Sequence, residues 1–146
     1  MNLNELYTEV IKEHNLSHHN KHHLEHANIE MPGKNPSCGD EITLYLKVEN
    51  GIITDGSYTG VGCAISQASV SIMIDQIRGK TVEEASELSE LFLNMIRKSP
   101  LTDEELEKLD EAVALSNIAN MPARVKCATM PWHTLQTAIE ASKDSK

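Results

Sequence analysis

Three cysteines and one aspartate carry the metal chemistry open to this sequence. Cys38 and Asp40 flank a glycine in Asn35-Pro36-Ser37-Cys38-Gly39-Asp40. Glycine reaches backbone angles closed to other residues, so a sharp turn at Gly39 brings the Cys38 sulfur and an Asp40 oxygen toward one point. Pro36 fixes its own φ and disfavours helix at the residue before it, which stiffens the entry to the loop. A thiolate and a carboxylate on one short loop make half of a tetrahedral zinc site. The other two cysteines, Cys63 and Cys127, fall where helices are expected to begin. The unpaired N–H groups and positive dipole end of a helix favour a thiolate there. Cys127 also has Arg124 and Lys126 beside it in sequence, and cations lower a thiol pKa. The candidate metal set is therefore Cys38, Asp40, Cys63 and Cys127. Its spacing is not that of a zinc finger.

The elements that must position these four residues are legible from periodicity. Leu3, Leu6, Tyr7, Val10 and Ile11 predict an amphipathic helix over residues 4–13, ended by His14 and Asn15, whose Leu6 and Val10 face packs on the domain or on a partner. Ile42, Leu44, Leu46 and Val48 alternate with Thr43, Tyr45 and Lys47, the pattern of a half-buried strand. Glu49-Asn50-Gly51 is a hairpin turn signal. The partner strand runs from Ile52 to about Ser57, with a bend or bulge at Asp55-Gly56 and a short third strand over Tyr58 to Val61. Gly60 and Gly62 precede Cys63 without completing any phosphate-loop pattern, so they predict close backbone approach around that cysteine. A helix then runs to Gly79, a good stop residue. Its Ala64, Ser66, Ala68, Ser69 and Ser71 permit close packing. Thr81 with Glu84 and Thr102 with Glu105 are capping boxes. The first opens a helix to about Lys98 and the second an acidic helix through Leu115, separated by Ser99-Pro100. A last helix is expected over residues 129–141, with Pro131 in its first turn.

At 146 residues, 1–146 reads as one domain with a real core. Acidic residues number 22 against 13 basic, a formal charge of −9, and aromatics are few. That excludes a basic nucleic-acid groove or a base-stacking surface. There is no apolar run long enough to span a bilayer, and Met1 to Leu6 lack signal-peptide character, so the expected location is cytoplasmic. Three cysteines in a reducing compartment favour metal or thiol chemistry over disulfides. His18, His19, His22, His23 and His26 crowd residues 17–26. Dense histidine can bind metal, but no cysteine or carboxylate arrangement closes a site in that segment, and it reads as a solvated connector.

Cys38-Gly39-Asp40, Thr59-Gly60-Val61-Gly62-Cys63-Ala64-Ile65-Ser66 and Arg124-Val125-Lys126-Cys127-Ala128-Thr129 occur in that order. Together they resemble the IscU/NifU N-terminal-like superfamily of iron–sulfur cluster assembly proteins, in its SufU branch, over nearly the whole chain. Housekeeping IscU scaffolds carry a His before the third cysteine, where this chain has Lys126. They also carry a Leu-Pro-Pro-Val-Lys chaperone motif, where this chain reads Met121-Pro122-Ala123-Arg124-Val125-Lys126. The acidic segment from Ser99 to Ser116 resembles the SufU insertion.

The resemblance implies an α+β fold, a small antiparallel sheet of about three strands with helices packed on it. It implies zinc held by Cys38, Asp40, Cys63 and Cys127, and zinc-dependent sulfur transfer. A SufS-type, PLP-dependent cysteine desulfurase would form a persulfide, and this chain would carry the sulfur to the SufBCD complex; the PLP belongs to the partner. Family behaviour implies that a desulfurase His takes a vacated zinc position while a cysteine of this chain attacks. Cys38, on a loop free to move, is the expected acceptor, with Cys127 as the alternative. Arg124 and Lys126 are candidate docking or persulfide-stabilising groups. His133, six residues past Cys127, would face away and reads as structural. Two other functions use the same residues. One is a scaffold assembling an iron–sulfur cluster on them, since sequence does not separate iron from zinc. The other is a purely structural zinc domain, which the Asp ligand disfavours.

Overall fold

The structure, a computed structural model, describes residues 3–144, and for Leu3, Asn4, Leu6 and Asp144 the backbone alone. The elements in order are α1 (Leu3–Ser17), β1 (Ile29–Asn35), β2 (Asp40–Glu49), β3 (Ile52–Val61), α2 (Ala64–Ile77), α3 (Val82–Ile96) and α4 (Asp103–Leu109). Two 3-10 segments, Asp110–Asn120 and Pro122–Arg124, lead into α5 (Val125–Asp144). The three strands form one antiparallel sheet in the order β1-β2-β3. This is the expected α+β architecture.

The third strand is not the expected one. Tyr58 to Val61 continue β3, and the missing strand is β1, which precedes the Cys38 loop. Met31-Pro32-Gly33 reads locally as a turn. Proline is tolerated because β1 is an edge strand, where a missing N–H need not break a ladder. Gly33 is required for another reason: a Cβ there would lie 2.2 Å from Thr134 Oγ1 of α5. The irregularity in the β2–β3 ladder falls between Lys47 and Val48, with Thr54 as the extra residue, one position before the expected Asp55-Gly56.

Ile42, Leu44 and Leu46 of β2 are buried beneath the helices. Helix α5 packs on β1 and β2, and α2 packs on β3, on α5 and on α1. Because α2 is enclosed on nearly all sides, its small residues do more than permit close approach. Ser69 Oγ donates to the Ala128 carbonyl at 2.6 Å and accepts the Trp132 indole N–H at 3.1 Å. The Trp132 ring stacks on Phe92 of α3 with centroids 4.4 Å apart. Both capping boxes form as expected.

Three boundaries differ from the local signals. Helix α1 runs through His14 and Asn15 to Ser17, and Val10 on it is buried; the expected packing of Leu6 lies outside the described side chains. Helix α4 stops at Leu109 because Asp110 takes a φ of 47°, and the chain continues to Asn120 as 3-10 turns that bury Ala112, Leu115 and Ile118. Helix α5 begins at Val125, so Pro131 sits inside it. The proline that opens this region is Pro122, at the start of the short 3-10 segment. The histidines of residues 17–26 are exposed as expected, yet the segment is anchored: Asn20 is buried and its carbonyl accepts Tyr58 N–H at 2.9 Å.

Candidate metal centre

Asn35 and Asp40 are register partners at the end of the β1–β2 hairpin, so residues 36–39 form its loop. Gly39 takes φ +72°, the left-handed conformation the sequence predicts. The turn aims Cys38 and Asp40 at the first turn of α5. Ligand atoms of Cys38, Asp40 and Cys127 all lie within 4.8 Å of one another. Cys127 is fully buried and Asp40 nearly so, at 2% exposure, while Cys38 and Cys63 are half-buried.

Cys63 completes the neighbourhood in another way. It is the N-cap of α2: its sulfur accepts Ser66 N–H at 3.4 Å, and its own N–H donates to Asp40 Oδ1 at 2.9 Å. Its thiol interacts with Cys127 but lies outside the 4.8 Å group. The close approach expected around Cys63 belongs to Gly62, where a Cβ would meet Ser66 Oγ at 2.3 Å and Asp40 Oδ1 at 3.0 Å. Gly60, at φ +125°, has its neighbour in the Glu41 carbonyl.

Two further residues belong to the site and carry no local signal. Ser66 Oγ donates to Asp40 Oδ1 at 3.1 Å. The Asn35 amide donates to Asp40 Oδ2 at 3.1 Å and lies 3.6 Å from the Cys127 sulfur. Three donors thus satisfy a buried carboxylate that would otherwise be expensive to ionise. Oδ1 holds two of them, and Oδ2 holds the third, from the amide that also lies against the Cys127 sulfur. The signal that could have found Asn35 is the four-residue loop itself, which places 35 opposite 40 once β1 is seen as a strand.

The electrostatics of Cys127 run opposite to expectation. Burial pushes its thiol well above the usual range, and hydrogen bonds with Cys38 and Cys63 and the charges of Cys63 and Asp40 push it further. Its thiol donates to Cys38 Sγ at 3.0 Å. The helix start and neighbouring cations do not prevail, because desolvation of a fully buried sulfur outweighs them. Arg124 does face the sulfurs. A hydrogen bond to Cys127 and the charges of Cys63, Cys127 and Cys38 raise its guanidinium above its ordinary pKa. Tyr7 of α1 borders the same spot, its hydroxyl shifted up mainly by burial and touched electrostatically by Arg124 and Cys63. Lys126 is separated from Arg124: it lines an adjoining groove of about 710 Å³ with Asn35, Pro36 and His133. His133 is exposed there and is neither a ligand nor a core residue. Among the described residues no helix is long and apolar enough to cross a membrane.

Comparison with known proteins shows the family. The NifU-like N terminal domain family matches residues 6–145. The iron–sulfur cluster assembly scaffold protein IscU of Thermotoga maritima is 43% identical over 135 residues, covering 92% of this chain and 93% of the relative. The zinc-dependent sulfurtransferase SufU of Bacillus subtilis is 37% identical over 138 residues, covering 94% and 92%. A crystal structure from Fervidobacterium islandicum AW-1, described as an iron–sulfur cluster assembly scaffold protein for the SUF system, superposes with a TM-score of 0.85 at 38% identity, covering 92% of this chain and 97% of that one. With a three-stranded sheet, a cysteine at the head of α2 and a second in the first turn of α5 around a Cys-Gly-Asp hairpin loop, the chain belongs to the NifU-like N-terminal domain family of iron–sulfur cluster assembly proteins.

Proposed function

We propose that this chain is a zinc-dependent sulfurtransferase that accepts persulfide sulfur from a SufS-type, PLP-dependent cysteine desulfurase and passes it to the SufBCD assembly machinery. The observation that carries this reading is the convergence of Cys38, Asp40 and Cys127 within 4.8 Å, beside Cys63, with Cys38 half-buried and Cys127 fully buried. Three sulfurs and one carboxylate oxygen suit zinc. Cys38, Asp40, Cys63 and Cys127 would hold it, Cys63 giving up its cap bond to Ser66. When bound, zinc keeps thiolates deprotonated without redox chemistry.

The chain's own residues supply the rest. Cys38 is the acceptor, because a partner's persulfide can reach a half-buried hairpin loop and cannot reach the enclosed Cys127. Its thiolate attacks the outer sulfur of the desulfurase persulfide. A bond forms from Cys38 Sγ to that sulfur, the desulfurase S–S bond breaks, and the desulfurase cysteine leaves as thiolate. No external oxidant or reductant is needed. Arg124, facing all three sulfurs, offsets the negative charge of the new persulfide. Asn35, Ser66 and the Cys63 N–H hold the Asp40 carboxylate in place and aimed.

A second reading has its own support. The Thermotoga relative and the Fervidobacterium structure are both described as scaffolds, and the same four residues can ligate iron. The test is elemental analysis of untagged protein purified anaerobically, followed by desulfurase turnover in its presence. About one zinc per chain, with turnover stimulated by the wild type and not by Asp40→Ala, supports sulfur transfer. Stoichiometric iron and acid-labile sulfide with little zinc overturns it in favour of the scaffold.

A further inference from the structure

A second cluster of metal-ligating side chains lies at the far end of α2. Asp75 is twelve residues past Cys63 on a nearly continuous helix, which separates the two places by about 18 Å. Ligand atoms of His14 from α1, His19 from the connector and Asp75 from α2 all lie within 4.8 Å of one another. Glu111, from the 3-10 segment, contacts His14 Nε2. Three elements, α1, the connector and α2, therefore bring ligand atoms to one point, and the 3-10 segment adjoins it through Glu111.

The two imidazoles are held alike. His14 Nδ1 is 2.7 Å from Ser71 Oγ, and its Nε2 meets Glu111. His19 Nδ1 is 2.6 Å from Ser17 Oγ, and its Nε2 lies 3.0 Å from Asp75 Oδ2. A hydroxyl can accept, so with an ion bound each Nδ1 can carry the ring proton and each Nε2 can turn its lone pair to the ion, displacing the hydrogen bonds that Glu111, Asp75 and the Asn20 amide make to those nitrogens. This is the outer-partner arrangement that orients ligating histidines in metal sites. His14 is 4% exposed, so its ring is fixed by packing as well. The His19–Asp75 spacing is close to the ~3.3 Å between two ligand atoms of a tetrahedral zinc ion with bonds near 2.0 Å.

We propose that His14, His19 and Asp75, with Glu111 beside His14, form a second site, for a borderline divalent cation such as zinc or cobalt. Two neutral imidazoles and two carboxylates balance the charge of such an ion. A cavity of about 360 Å³ beside it, lined by Asp75, Gln76 and Glu111, opens a path inward. The Gln76 Oε1 atom is buried there with no hydrogen-bond partner. Of the cations nearby, Lys108 is paired with Glu87 at 2.8 Å, Arg78 is shared between Asp55 and Asp75, and Lys80 stands on the cavity wall. The bound ion ties α1 and the connector to α2 and to the acidic insertion. The site is independent of the sulfur chemistry at Cys38.

Cobalt(II) added to untagged protein holding a single equivalent of zinc, which the thiolate site takes, tests this. Cobalt at the second site gives visible bands without the sulfur-to-metal charge transfer that cysteine ligation produces, so the readout stands whatever occupies the first site. The expected result is one equivalent of thiolate-free cobalt, absent in His19→Ala and in Asp75→Asn, and weakened about tenfold in Ser17→Ala. Both ligand positions are exposed, so these variants fold; unchanged circular dichroism in the metal-free state verifies it. The cobalt persists in His18→Asn/His22→Gln/His26→Asn, which removes three other exposed histidines while Asn suits the positive φ of His18 and His26. No thiolate-free cobalt, its survival in either ligand variant, or its loss in the triple variant overturns the proposal.

Discussion

Replacing Gly62 by alanine adds one methyl group at the tightest point of the metal centre. The new Cβ would stand 2.3 Å from Ser66 Oγ, 3.0 Å from Asp40 Oδ1 and 3.5 Å from Asp40 Cγ. Ordinary contact begins near 3.4 Å, so Ser66 Oγ must yield by about 1 Å. It is not free to do so, because it donates to buried Asp40 and lies 3.1 Å from the Cys63 carbonyl. If the hydroxyl rotates away, Asp40 loses one of three donors, at about 1.5–3 kcal/mol for a hydrogen bond to a charged group. If the backbone shifts instead, overpacking costs about 1–3 kcal/mol. Either route gives a loss of about 2 kcal/mol in urea unfolding of the metal-free, reduced protein. Ser66→Ala removes the obstructing atom, so Gly62→Ala in that background should cost only a few tenths of a kcal/mol, from the Asp40 contact alone. A double-mutant cycle reads a coupling of about 2 kcal/mol. Strictly additive costs would refute the idea that Gly62 exists to let Ser66 reach Asp40.

Asp40→Cys completes an all-thiolate set, and should retain zinc longer against a chelator while supporting slower sulfur transfer; Asp40→Ala should lose zinc and activity together. Full activity with tighter zinc in Asp40→Cys would show that the carboxylate is not needed for ligand exchange. Arg124→Gln, which keeps a donor toward Cys127 and removes the charge, should leave zinc content and melting temperature nearly unchanged but weaken stimulation of the desulfurase; undiminished stimulation would make Arg124 ordinary surface charge. Ser69→Ala strands the buried Trp132 indole N–H and should destabilise by about 1–3 kcal/mol in the same unfolding assay, without altering metal content.

The reacting residues were legible because chemistry selects residue types. A cysteine two residues from an aspartate across a glycine says what it can ligate before any fold is known. Capping boxes at Thr81 and Thr102 were legible because both partners lie within one turn. Strand β1 was not, because Pro32 and Gly33 signal a turn locally and are tolerated only by an edge position and the approach of Thr134. Asn35 and Ser66 gain their roles from strand register and from the packing of α2, neither of which is local. The direction of the Cys127 shift was misjudged because its neighbours in sequence are cations, while burial of the sulfur outweighs them and raises the thiol pKa. The pairing of His14 with Glu111 spans 97 residues and joins the insertion to the first helix, a contact no short motif encodes.

The most direct test of sulfur transfer through Cys38 is to locate the sulfur. Zinc-loaded protein is mixed with a SufS-type desulfurase and one equivalent of cysteine. It is then trapped with an alkylating agent, digested and mapped by mass spectrometry. One extra sulfur atom on the Cys38 peptide is the expected result, with Cys63 and Cys127 unmodified and zinc retained. The extra sulfur on Cys127 or Cys63, or none on any cysteine while the desulfurase turns over and zinc stays bound, would contradict the assignment of Cys38 as the acceptor.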